Sequence, residues 1–153
     1  MNQGEIPIRS LKLLLVEDND AHAKIVTRSL EKAQVRNELT RVSDGVEAVR
    51  YFLDIEAQES ADFPDLVLLD LNLPKKNGFE VLEEIKTNPV LKQIPVIVLT
   101  TSDAESDRAK AYRLHANSYL LKPLESDLFR EMIKDLCKYW GAWNQPADIE
   151  AQV

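Results

Sequence analysis

A single cysteine, Cys137, leaves no partner for an intramolecular disulfide and no thiolate set for a structural zinc site. Histidine is nearly as scarce. His22 and His115 are the only two, which gives little support to a His-rich metal centre or a catalytic triad, and both are expected on helix surfaces. No apolar run approaches the roughly 20 residues that a bilayer-spanning helix needs. Met1 to Ser10 shows no basic segment leading into an apolar one, so no secretory signal is read and a cytoplasmic location is expected. Basic charge is short as well: 19 Lys and Arg face 26 Asp and Glu, a formal net charge of −7. That is the wrong sign for a surface that neutralises nucleic-acid phosphates, and partners are expected to be proteins or a cation. Solenoid-length repeats and low-complexity tracts are absent.

What remains is the composition of one ordinary globular domain: 153 residues, 44% hydrophobic and 29% charged. Its organising stretch runs from Asp65 to Pro74. Leu66 to Leu69 is apolar without alternation, the pattern of a strand buried on both faces at the centre of a parallel sheet. It ends on Asp70, and Pro74 with Asn77-Gly78 turns the chain before a helix marked by Phe79, Leu82 and Ile85. Leu13 to Val16 is a second such run, ending in Glu17-Asp18-Asn19-Asp20 ahead of a helix with Ala23, Val26, Leu30 and Ala33 at helical spacing. Leu39 to Val42 is a weaker strand, followed by a helix carrying Val46, Val49, Phe52 and Leu53 and then an acidic stretch, Asp54 to Phe63, without period. Pro95 to Thr100 is a fourth strand. Ser102 precedes Glu105 at capping-box spacing and opens a helix to about His115. Ser118 to Lys122 is a fifth strand, broken by Pro123, and the last helix carries a wide apolar stripe from Leu128 through Met132 and Leu136 to Trp140.

Strand and helix thus alternate five times, with connections that suit right-handed βαβ steps. The expected fold is α/β: a doubly wound, five-stranded parallel sheet in the order 2-1-3-4-5 with five helices. Residues 1–10 are expected to be an N-terminal extension, 11–140 the folded domain, and 141–153 a loosely held tail, although Trp140 and Trp143 are large for a linker.

Parallel strands deliver their carboxyl ends to one edge, where open α/β sheets bind ligands. Here those ends are Glu17 and Asp18, then Asp70, then Thr100 and Thr101, then Lys122. In the expected order the first and third strands are neighbours about 4.8 Å apart, so the three acids crowd one crevice and repel. A hard divalent cation with oxygen ligands, Mg²⁺ before Ca²⁺, suits such a cluster. Each residue alone has a plainer reading: an N-cap, a strand end, a turn hydroxyl, a solvated lysine. Their joint placement is what points to a site.

Val16-Glu17-Asp18-Asn19, Leu69 to Pro74 with Asn77-Gly78, Leu99-Thr100-Thr101-Ser102 and Tyr119 to Pro123 resemble, in order and spacing, the successive motifs of response-regulator receiver domains. The likeness runs from about Lys12 to Tyr139 and is greatest to the phytochrome-associated single-domain regulators. It implies a phosphoacceptor at Asp70 and Mg²⁺ held by Glu17, Asp18, Asp70 and the main-chain carbonyl of Asn72. It also implies a switch hydroxyl at Thr100, a switch aromatic at Tyr119, a phosphoryl-stabilising lysine at Lys122, and a cis bond before Pro123. Glu17 stands where many members have aspartate, and Thr101 where a small residue is frequent, a departure expected either to narrow access to Asp70 or to slow phosphoryl loss.

The function implied is a two-component response regulator that takes a phosphoryl group from a sensor histidine kinase, phytochrome-type, and signals through protein contacts. A homodimer through the face of the fourth helix, fifth strand and fifth helix is expected, strengthened by phosphorylation. Its catalysis is confined to its own phosphorylation and dephosphorylation. Three alternatives stand beside it. A receiver fold can serve as a binding module without phosphorylation. A haloacid-dehalogenase-like phosphatase needs an ionisable general acid two residues beyond its nucleophile, where this chain has Asn72. In a flavodoxin, the acids after the first strand would repel the flavin phosphate.

Overall fold

The computed structural model describes residues 7–33, 36–58 and 62–149. In chain order it contains β1 (Leu11–Val16), α1 (Asp20–Lys32), β2 (Asn37–Val42), α2 (Gly45–Glu56), β3 (Leu66–Leu69) and α3 (Gly78–Thr87). There follow β4 (Val96–Thr100), α4 (Glu105–Arg113), β5 (Ser118–Leu121) and α5 (Ser126–Lys138). All strand pairs are parallel, and the sheet runs β2-β1-β3-β4-β5, as expected.

The unbroken apolar runs follow from helices on both sides of the sheet. Leu14 and Val16, Val67 and Leu69, and Val96 and Val98 face a layer formed chiefly by α2 and α3, among Phe52, Val81 and Ile85. The intervening residues, Leu13, Leu15, Leu66, Leu68, Ile97 and Leu99, face α1 and α5, among Val26, Leu30, Phe129 and Ile133. Every residue of β3 and β4 is buried, so neither strand has a polar side to alternate with.

Local chemistry sets the helix starts. Asn19 caps α1 by accepting from the His22 amide, and Asp44 caps α2 by accepting from the Glu47 amide. The sequence expectation for α4 is not met. Ser102 gives its hydroxyl to Asp107 Oδ2 at 2.6 Å, and Ala104 occupies the cap position without a side-chain bond. A capping box does form at α3, between Asn77 and Glu80. His115 lies beyond α4 at φ 70°, in the left-handed region rather than on the helix. The helix from Gly45 ends at Glu56, and residues 59–61 of the acidic stretch after it lie outside the described residues.

The tail departs from expectation too. α5 continues into a π-helical turn, Tyr139–Trp143, closed by the Asn144 amide on the Tyr139 carbonyl at 2.7 Å. Arg9 binds this turn from the segment before β1: its amide meets the Gly141 carbonyl, and its guanidinium meets the carbonyls of Trp140 and Asn144 at 2.5 and 3.0 Å. A Cβ on Gly141 would come within 2.4 Å of Ile8, which is why the two segments can close on each other there. Ile149 packs against the α2–α3 side of the core, so the tail is fastened at least that far.

Candidate functional site

The strand register assembles the crevice. Val16 pairs with Leu69 across β1 and β3, which puts Glu17 beside Asp70, and the Asp70 amide bonds the Val16 carbonyl at 3.0 Å. On the far side, Thr100 pairs with Leu121, and the Lys122 amide bonds the Thr100 carbonyl at 2.8 Å. Glu17, Asp70, Thr100 and Lys122 are buried polar groups at this edge, while Asp18 is exposed at its mouth. The approach of α3 depends on Gly78, whose amide bonds the Leu71 carbonyl at 3.0 Å; a Cβ there would lie 2.3 Å from the Asp70 carbonyl oxygen.

Lys122 is the hub. Its Nζ reaches Glu17 Oε1 at 2.5 Å, Asp70 Oδ2 at 2.9 Å and His22 Nδ1 at 3.0 Å. Asp70 Oδ1 accepts from the Asn72 amide at 3.2 Å. Burial alone pushes the Asp70 carboxyl up. The hydrogen bond with Glu17, the Lys122 charge and the Asn72 amide together bring it below its ordinary value. Glu17 goes the other way: burial, and after it the neighbouring Asp70 carboxyl, lift it to about 7 against the pull of Lys122.

Glu17, Asp18 and Asp70 each place a carboxylate oxygen within 4.8 Å of the others. Glu17 Oε2 is buried and, among the described residues, has no hydrogen-bond partner. An orphaned oxygen amid an all-oxygen donor set suits a hard divalent cation. Asn72, given a ligand role through its carbonyl, lies in the β3–α3 loop next to Asp70.

Thr100 and Tyr119 meet through one residue. The Thr100 hydroxyl oxygen accepts from the Ser102 amide at 3.3 Å, and the Tyr119 hydroxyl donates to the Ser102 carbonyl at 2.8 Å. The Arg108 guanidinium stands 5.9 Å from the centre of the Tyr119 ring.

One expectation fails and one residue was missed. No peptide bond among the described residues is cis, so Lys122–Pro123 is trans, the isomer favoured for X–Pro bonds by about 0.5–1 kcal/mol; Lys122 reaches both acids in that form. His22, expected to be a surface residue, is half-buried against Lys122. The one signal for it was its place in the first turn of a helix that opens on the crevice.

Residues 13–134 match the response regulator receiver domain, and the chain belongs to that family of two-component signalling proteins. Its nearer relations include response regulator Rcp1 of Synechocystis sp., 45% identical over 129 residues that cover 84% of this chain and 87% of that one. The probable methanogenesis regulatory protein FilR2 of Methanothrix harundinacea is 41% identical over 133 residues, 87% of this chain and 85% of its own. The crystal structure of the phosphorylated cyanobacterial phytochrome response regulator RcpA is similar at a TM-score of 0.84 and 40% identity, covering 91% of this chain and 99% of RcpA. Rcp1 in its Mn²⁺-bound form gives 0.82 and 40%, covering 90% and 99%.

Proposed function

We propose that this chain accepts a phosphoryl group on Asp70 from a phosphohistidine of a sensor kinase, in the presence of Mg²⁺, and passes the signal on through protein contacts. The observation that carries the reading is the Asp70 carboxylate, held below its ordinary pKa between the Lys122 ammonium and the Glu17–Asp18 pair. An Asp70 oxygen attacks phosphorus as the bond to the histidine nitrogen breaks; the imidazole leaves with the electron pair and takes up a proton, and an aspartyl phosphate remains. Lys122 holds the attacking carboxylate and is placed to meet the incoming oxygens, and the Thr100 hydroxyl is placed to donate to them. Mg²⁺, when bound by Glu17, Asp18, Asp70 and the Asn72 carbonyl, supplies the charge neutralisation that three crowded acids otherwise lack. The chemistry is confined to the chain's own phosphorylation and dephosphorylation.

Incubation with acetyl phosphate and intact-mass measurement tests this. An adduct of one phosphoryl group that requires Mg²⁺ and vanishes in Asp70→Asn is expected. A wild-type protein that stays unmodified under every condition overturns it.

Likeness to the cyanobacterial phytochrome response regulator RcpA supports a phytochrome-type kinase as donor, and the chain is placed in the cytoplasm as part of the same reading. Among the described residues, no helix is long and apolar enough to cross a membrane. Output by self-association is supported by the outer face of β5 and α5. A groove of about 490 Å³ there is lined by Leu120, Leu128, Met132, Leu136, Tyr139 and Trp140. Leu128 and Tyr139 are 56% and 53% exposed, and Tyr112 on α4 is exposed as well. Light scattering after size exclusion is expected to show the dimer gaining population with a phosphate mimic. A monomer in both states sinks this part of the proposal.

A further inference from the structure

We propose that His22 is a positioning residue for phosphoryl transfer, its neutral imidazole holding the Lys122 ammonium in the crevice. The inference rests on Asp70 being the phosphoacceptor. An ammonium has three N–H donors. In this structure Lys122 finds three acceptors for them: Glu17 Oε1, Asp70 Oδ2 and His22 Nδ1, at 2.5, 2.9 and 3.0 Å.

The third acceptor differs in kind from the other two. Glu17 and Asp70 are the oxygens that a hard divalent cation draws to itself, whereas an imidazole nitrogen competes poorly for such a cation beside carboxylates. When the acids turn to the cation, His22 remains with the lysine. It thereby keeps the ammonium at the crevice with donors free for Asp70 and a phosphoryl oxygen.

The imidazole is itself held in place. The Asn19 side chain bonds the His22 amide at 3.0 Å, fixing the first turn of α1, and the ring leans on Phe129, centroids 6.2 Å apart. Nδ1 can accept from Lys122 only when the ring proton is on Nε2, so the proposed contact requires that tautomer, whereas Glu17 Oε1, 3.6 Å from Nδ1, would suit the other.

Two substitutions and one spectrum test this. His22→Leu keeps the bulk and helix propensity but removes the acceptor; His22→Gln restores an acceptor of similar reach. At saturating Mg²⁺, His22→Leu is expected to slow phosphorylation by acetyl phosphate about tenfold, as for the loss of one charge-assisted hydrogen bond. Its Mg²⁺ affinity and melting temperature stay near wild type, and His22→Gln recovers most of the rate. Nitrogen NMR of wild type is expected to show the Nε2–H tautomer with and without Mg²⁺. Wild-type rates in His22→Leu, a glutamine variant as slow as leucine, or an Nδ1–H imidazole would each overturn the proposal. If wild type takes no phosphoryl group at all, the reading of Asp70 fails, and the tautomer still decides whether His22 holds Lys122.

Discussion

Glu17 keeps a proton to about pH 7 in the metal-free protein, whereas an ordinary glutamate releases it near 4.5. Between those values the folded state binds the extra proton, so Glu17 makes the metal-free protein less stable as pH rises through that window. Asp70, held below its ordinary 3.8, acts oppositely: its contribution is present above that value and is lost as pH falls through its lowered pKa. Urea titrations between pH 5 and 7.5 are expected to show the Glu17 loss in wild type and its absence in Glu17→Gln. A cation needs the deprotonated acid, so Mg²⁺ affinity should climb about tenfold per pH unit below 7 and level off above it, with one proton released. Calorimetry in buffers of different ionisation enthalpy measures that proton. At this scale the sequence was informative about placement, where a residue's position follows from its standing at a strand end. Glu17, Asp18, Asp70, Thr100 and Lys122 are of that kind. His22 was not legible because its partner, Lys122, lies 100 residues away, and no local pattern encodes that meeting.

Among the elements, the β3–α3 connection is the most constrained. Gly78 lets the start of α3 lie against the Asp70 backbone, where any side chain collides. Gly78→Ala is expected to lose about 1–3 kcal/mol in urea denaturation through overpacking and to slow phosphorylation as well, because the displaced backbone carries the nucleophile. Asn77→Ala removes only the cap and should cost about 1 kcal/mol with little effect on the rate. Strands β1, β3 and β4 could be read from composition because helices cover both faces, so that apart from Lys12 near the start of β1 and Thr100 at the end of β4 they are apolar throughout. Capping was harder to read. Ser102-Glu105 and Asn77-Glu80 share one spacing, but Asn77-Gly78 was read as a turn, while the Ser102 hydroxyl was drawn off to Asp107. Spacing shows that a bond can form, and competing partners decide whether it does.

For the molecule as a whole, the two core layers and the strap of Ile8, Arg9 and the π turn work at different ends. The crevice opens at the carboxyl edge of the sheet, and the strap crosses the amino edge where β1 begins. Arg9→Met keeps the aliphatic stem and removes the guanidinium donors. It should lower stability by about 1–2 kcal/mol while leaving the phosphorylation rate unchanged, a separation that denaturation and mass measurements on the same variant reveal. Fold order was legible because alternating strands and helices admit few right-handed topologies. The strap was not, since residues 141–149 have no period and their docking is decided by Ile8, Arg9 and the far core.

That strap also brings the segment entering β1 and the segment leaving α5 to within one hydrogen bond of each other. A short linker from just after the π turn back to Ile8, in place of the tail that carries Ile149, with new ends opened in a surface loop, would give a circularly permuted protein with the same sheet. The same closeness makes the fold a plug-in unit. Inserted into a loop of another protein, it would ask the host to bridge only a narrow gap, and its reactive edge would point away from the splice.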